Sequence, residues 1–140
     1  MSKVKKIHHV AIVVDDIEGS LSIWDTLGLK VESIREVPEQ EARVAFLQLG
    51  DSEIELVEPT TDASGISRYL AKRGPGLHHL CIEVEDIEGI MERLNENGFK
   101  LINSTPQVGN EGSKYAFIHP ESTQGVLVEL YELSGKNKVD

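Results

Sequence analysis

Residues 7–31, "IHHVAIVVDDIEGSLSIWDTLGLKV", lie over residues 77–101, "LHHLCIEVEDIEGIMERLNENGFKL", when the chain is slid by 70 positions without a gap. Ten of the twenty-five pairs are identical, among them His8/His78, His9/His79, Asp16/Asp86, Gly19/Gly89 and Gly28/Gly98. Seven of the other fifteen exchange one apolar residue for another. A self-match at a fixed offset marks a duplicated supersecondary unit. The fold is therefore constrained to two copies of one module, fused.

Each copy begins with a period-two segment, residues 7–14 and 77–84, which predicts a strand. An Asp follows at a helix N-cap position, Asp16 or Asp86. Ile17, Leu21 and Trp24 then recur at helical spacing, as do Ile87, Ile90, Met91 and Leu94. Gly28 and Gly98 stand where a helix stops. Further strands are expected at 31–35, 43–49 and 53–57 in the first copy, and at 101–104, 114–119 and 126–131 in the second. The module is βαβββ and the class α+β. Module one spans about 6–59, a linking helix about 63–74, and module two about 76–133, all within one domain of residues 1–140. The polar tail 134–140 is expected to fray.

Side chains alternate across a strand. His9, Ala11 and Val13 share one face, opposite His8, Val10, Ile12 and Val14. The second set is more apolar and is expected to pack under the helix. His79, Cys81 and Glu83 likewise oppose His78, Leu80, Ile82 and Val84. In the last strands, Glu55 and Glu129 fall at equivalent points of "IEL" and "VEL". His9, Glu55, His79 and Glu129 are thus expected on helix-free faces that pool into one cup of a curved mixed sheet. His8 and His78 are expected to pack. Cys81 faces the cup as inert packing, and Trp24 and Met91 belong to the core.

Two neutral imidazoles and two carboxylates neutralise a divalent cation. Mixed nitrogen and oxygen ligation suits Zn, Co, Ni, Mn or Fe(II) better than Ca or Mg. Isolated histidines and glutamates in strands are usually structural or solvated. Four of them at matching repeat positions in apolar strands are not the ordinary case.

Composition excludes several partners. The net charge is -10 and the only basic cluster is Lys3, Lys5 and Lys6, which argues against nucleic acid and anionic membrane surfaces. An anionic small substrate stays compatible, because a local cation outweighs distant charge within a Debye length. No apolar run is long enough to span a bilayer. "MSKVKKIHH" has no signal-peptide core and Cys81 is the single cysteine, so a cytoplasmic protein is expected.

"IHHVAIVVDDIEGSLSIW", "IELVEP", "GLHHLCIEVEDI" and "FIHPESTQGVLVEL" resemble the vicinal oxygen chelate (glyoxalase/bleomycin resistance/dioxygenase) superfamily. Within it they look most like the methylmalonyl-CoA epimerases, over residues 6–133. The resemblance implies paired βαβββ modules around a metal-containing cup, with His9, His79 and Glu129 at metal-ligand positions. Glu55 falls on the fourth, where some members have Gln. It also implies epimerisation of (2R)- and (2S)-methylmalonyl-CoA through an enolate, with a Co, Zn, Ni or Mn ion as cofactor, an acyl-CoA as substrate and a homodimer as assembly. Glu129 is the expected acid/base on one face of C2. Some epimerases of this family place a second glutamate where this chain has Val44, and valine cannot transfer a proton. Glu55 is expected to take that role, with Glu41 or a bound water as alternatives. The rival readings are a glyoxalase I-type lactoylglutathione lyase, which Glu55 also fits, an extradiol dioxygenase, and a non-catalytic drug-binding resistance protein. The loop "VGNEGSKY", with Lys114, and the helix-end residues Lys72 and Arg73 are read as surface structure ahead of CoA contacts. His119 is read as a loop residue.

Overall fold

The computed structural model describes residues 3–134, so the polar tail expected to fray lies, from residue 135 on, outside the described residues. The class is α+β. The chain divides into two compact units: His9–His78, and residues up to His8 together with those from His79 on.

In the His9–His78 unit, strand β1 (Lys3–Val13) enters at His9 and leads to helix α1 (Ile17–Thr26). Strands β2 (Val31–Val37), β3 (Ala42–Leu49) and β4 (Ser52–Pro59) follow, then helix α2 (Gly65–Arg73). The strand order is β2-β3-β4-β1. β1 runs parallel to β4, and β2 and β3 are antiparallel to their neighbours. The parallel pairing follows from the βαβ start, since parallel neighbours need a long crossover. α1 starts where Asp16 accepts the Gly19 N–H, at 3.1 Å. It ends at Gly28, whose φ of 95° is open to glycine at little cost. The helix buries Ile17 against Val14, Ala45, Leu47 and Leu56, with Leu21 and Trp24 alongside. Each such side chain contributes about 1.5–3 kcal/mol when fully buried.

The opposite face of this sheet is not bare. Ala11, Ala42, Val44 and Val57 form a second buried cluster, covered by Val37, Phe46 and Ile66 of α2. The linking helix thus seals part of a face that alternation alone leaves open. The strand pattern is apolar on both sides there, as a sheet covered on both faces requires.

In the other unit, residues 3–8 of β1 lie beside β5 (Gly76–Glu85), which continues into helix α3 (Ile87–Glu96). β6 (Gln107–Val108), β7 (Lys114–Ile118) and β8 (Val128–Glu132) complete the order β1-β5-β8-β7-β6. β5 is parallel to β8, and β7 is antiparallel to β8 and β6. The core joins Val84, Ile87, Ile90, Met91, Ala116, Ile118, Val128 and Leu130.

The expected strand at 101–104 does not form. Leu101 makes a single bridge to Ile118. The Ile102 N–H donates to the Phe117 carbonyl at 2.8 Å, and the Asn103 side chain accepts the Phe117 N–H, also at 2.8 Å. The amide side chain replaces a backbone acceptor, which is the usual competition of Asn with a ladder. Pro106 then removes a donor and holds Thr105 extended, so pairing resumes only for the two residues of β6.

Candidate functional site

The two parallel pairings have the same register. β1 sets Ala11 beside Glu55, and β5 sets Cys81 beside Glu129. His9 and His79 stand two residues earlier on their strands, on the same faces and diagonal to the glutamates. Diagonal neighbours are close enough for long side chains to meet. In the His9–His78 unit, His9 Nδ1 lies 3.3 Å from Glu55 Oε2. In the other unit, His79 Nε2 lies 3.2 Å from Glu129 Oε1. The four side chains are 9%, 15%, 14% and 13% exposed in that order. Carboxylates this covered need a partner, and the imidazole supplies it.

The donor spacing fits a metal ion. Two ligands about 2.1 Å from one cation are about 3.0 Å apart at a right angle and about 3.4 Å apart at the tetrahedral angle. Both pairs fall between those values. One neutral nitrogen and one anionic oxygen per pair is the donor chemistry of borderline divalent metals.

Each glutamate also has a phenylalanine as its antiparallel neighbour: Phe46 opposite Glu55, Phe117 opposite Glu129. The Phe117 ring meets His79 edge-on, with centroids 5.8 Å apart. These aromatics are absent from the sequence-derived site. The signal for them is the pair "VAFL" and "YAFI", where the repeat continues at an offset of 71. Beyond the gapless window the offset changes, so a fixed slide misses it.

A second duplicated device fixes the helices to these strands. Glu58 Oε1 accepts the Ile17 N–H at 2.9 Å, and Glu132 Oε1 accepts the Ile87 N–H at 2.8 Å. Each is three residues past its unit's Glu55 or Glu129. A carboxylate at a helix N-terminus satisfies an orphan donor and meets the positive end of the dipole. Arg43 grips Glu18 with both guanidinium nitrogens, and Lys114 Nζ lies 2.5 Å from Glu88. The Arg43 hydrogen bonds hold the Glu18 carboxyl down at about 2, and Lys114 lowers that of Glu88. Asp16, Glu18 and Glu58 offer oxygens close together, but Arg43 already occupies that acidic group.

The remaining sequence-singled residues are placed as follows. Val44 is buried, shut into the cluster with Ala42, Val57 and Ile66. Glu41 is exposed at the end of a 3-10 turn, with φ 52°. It lies five residues along β3 from the neighbour of Glu55, roughly 16 Å at strand rise, so the fold does not bring it beside that carboxylate. His8 does not pack under a helix. Its ring lies 4.7 Å from that of Tyr131, which shares the strand face of Glu129. Burial pushes the Tyr131 phenol up, against the opposing hydrogen bond with Ser113. His78 packs edge-on against Tyr69 of α2, at 5.0 Å. Cys81 is fully buried. Arg73 stacks on Tyr69, and with Lys72 it ends α2, where positive charge is favourable. In the glycine loop, a Cβ at Gly109 would lie 3.1 Å from Ser113 Oγ, so a side chain there needs Ser113 to give way. His119 caps a 3-10 turn, its Nδ1 accepting the Glu121 N–H at 3.0 Å.

Residues 8–117 match the Glyoxalase/Bleomycin resistance protein/Dioxygenase superfamily. The chain belongs to that superfamily. It is 36% identical over 133 residues to the ethylmalonyl-CoA/methylmalonyl-CoA epimerase of Cereibacter sphaeroides, covering 93% of this chain and 99% of that one. Among solved members of the superfamily, the methylmalonyl-CoA epimerase of Mycobacterium tuberculosis superposes with a TM-score of 0.84 at 33% identity, over 95% of this chain and 91% of that one. A methylmalonyl-CoA epimerase in complex with methylmalonyl-CoA and NH4+ also gives a TM-score of 0.84, at 28% identity, over 95% of this chain and 97% of that one.

Proposed function

We propose that this chain is a methylmalonyl-CoA epimerase that interconverts the (2R) and (2S) forms. The observation that carries the reading is the duplicated His–Glu pair at one register, in a chain similar along nearly its whole length to epimerases of that substrate. The reaction is the removal of a weakly acidic proton from C2, between a thioester carbonyl and a carboxylate, and its return on the opposite face. His9 with Glu55, and His79 with Glu129, would hold a divalent cation, of which Co, Zn, Ni and Mn are the candidates. That ion, when bound, supplies positive charge near the substrate oxygens as negative charge develops on them.

The chain's own residues do the rest. A planar enolate exposes two faces, so inversion needs an acid/base group on each. Glu129 takes one face and Glu55 the other. His9 and His79 hold the two carboxylates in place. The Phe117 ring narrows the space around His79. Val44, in its sealed apolar cluster, transfers no proton.

Among the described residues no helix is long and apolar enough to cross a membrane. The cytoplasm and a homodimeric assembly complete the proposal. The test is incubation of methylmalonyl-CoA with metal-loaded protein in deuterated water. Deuterium entering C2 as the epimers equilibrate supports the epimerase. Inertness there, with turnover of the methylglyoxal–glutathione adduct, replaces it with the lyase, and binding without turnover replaces it with a sequestering protein.

A further inference from the structure

Arg35 lies on β2, opposite Val44 of β3, and its side chain is exposed. Its guanidinium carbon sits 4.3 Å from the centroid of the Phe46 ring. Phe46 is the antiparallel neighbour of Glu55. Lys3, Lys5, Arg43 and Lys114, which also lie on strands, each have a glutamate within ion-pair distance. Arg35 has none among the described residues, in a chain of net charge -10. A cation without a carboxylate, beside the proposed site, is the feature the reaction above leaves unused.

We propose that Arg35 binds a phosphate of the CoA portion of the substrate, which rests on the acyl-CoA reading above. The guanidinium carbon lies over the Phe46 ring, and the planar fork of an arginine matches a phosphate with two parallel hydrogen bonds. The ring holds the cation in place by a cation–π contact. The Arg35 backbone is two strands across and two residues along from Glu55, roughly 12 Å at about 4.8 Å per strand and 3.3 Å per residue. From there a long side chain can meet an anion set back from the reacting carbon by the pantetheine arm. A local cation also lets an acidic protein capture a polyanionic substrate, an effect that weakens as salt rises.

The test compares methylmalonyl-CoA with the methylmalonyl thioester of N-acetylcysteamine, which keeps the carboxylate and thioester and lacks every phosphate. Arg35→Ala is expected to raise KM for the CoA ester about tenfold, with kcat little changed and the truncated ester unaffected. Arg35→Lys, which keeps charge and loses the fork, falls between. The salt dependence of KM for the CoA ester is expected to flatten in Arg35→Ala. Equal losses on both esters would overturn the proposal and assign Arg35 to the malonyl carboxylate or to the fold. An unchanged KM on the CoA ester would overturn it as well. If the unmodified protein turns over neither ester, calorimetric binding of free CoA separates the two readings. Tight binding weakened about tenfold by Arg35→Ala supports the phosphate site while the epimerase falls. Equal binding removes the site too.

Discussion

In the His9–His78 unit, the strand face that carries Glu55 is mostly aliphatic: Ala11, Ala42, Val44 and Val57, closed over by Ile66. In the unit that begins at His79, the equivalent face is aromatic. Phe117 packs edge-on against Tyr115 and His79, and Tyr131 lies tilted against His8. Yet both units keep a His–Glu pair, a Phe opposite the Glu, an Asp N-cap, a glutamate on the first helical N–H and a strand cation on a helix glutamate. The features held in common position the backbone and the His–Glu pairs. The features that differ surround them. The two copies therefore offer the same pair of donors in different settings.

The sharpest way to break that symmetry is to neutralise one carboxylate at a time. Glu55→Gln and Glu129→Gln are each expected to slow epimerisation by about 10²–10⁴-fold, the usual contribution of a positioned acid/base group. Each variant keeps deuterium exchange at C2 for one epimer only, and the retained epimers are opposite. Metal analysis belongs beside the rates. One ion per chain, weakened by either His9→Ala or His79→Ala, agrees with a shared centre. Two ions per chain, each lost with only one histidine, would give each unit its own. If Glu55→Gln keeps the full rate with metal bound, Glu55 leaves the role.

Next in size is the core beneath each helix. Ile17 and Ile87 are both fully buried at the same repeat position. Ile17→Ala and Ile87→Ala are each expected to destabilise by about 2–5 kcal/mol, read from urea unfolding. A single transition shifted by similar amounts agrees with cooperative halves. Two transitions, each moved by only one variant, would show halves that unfold separately.

Much of this was legible because the repeat and the alternation report local geometry. The Asp16 and Asp86 caps, the glycine stops and the matching positions of the His–Glu pairs all follow from short-range pattern. Other features depended on which segments meet in space. Counting from His9 puts His8 on the opposite side of β1, but alternation separates a strand's two faces without saying what covers each, and the His8 ring meets Tyr131. Ile66 covers a strand face because of where α2 packs, which its own sequence does not say. The strand at 101–104 had the right apolar start, and Asn103 and Pro106 then outcompeted it. Asp86 caps α3 from a left-handed conformation, φ 59°, whereas Asp16 does the same from an extended one. Both are open to Asp, so residue type cannot tell them apart.

Smaller effects test whether the anchoring devices are equivalent. Glu58→Ala and Glu132→Ala are each expected to cost about 1–2 kcal/mol, as for loss of a helix N-terminal acceptor. Glu58→Ala is the costlier, because Glu58 also lies 3.7 Å from Arg43.

The smallest difference is electrostatic and appears only in acid. Folding holds Glu18 ionised down to about 2, against an ordinary value of 4.5, and Glu88 is lowered by Lys114. Between those two pH values the unfolded chain binds more protons than the folded one at Glu18. Stability is therefore fully present above about pH 4.5 and falls as pH drops towards 2. Arg43→Gln is expected to flatten that acid slope more than Lys114→Gln does, since the guanidinium grips with two hydrogen bonds and the ammonium with one. Both pairs face solvent, so raised salt should shrink the difference. An acid slope that survives both substitutions would show that these two surface pairs do not set it.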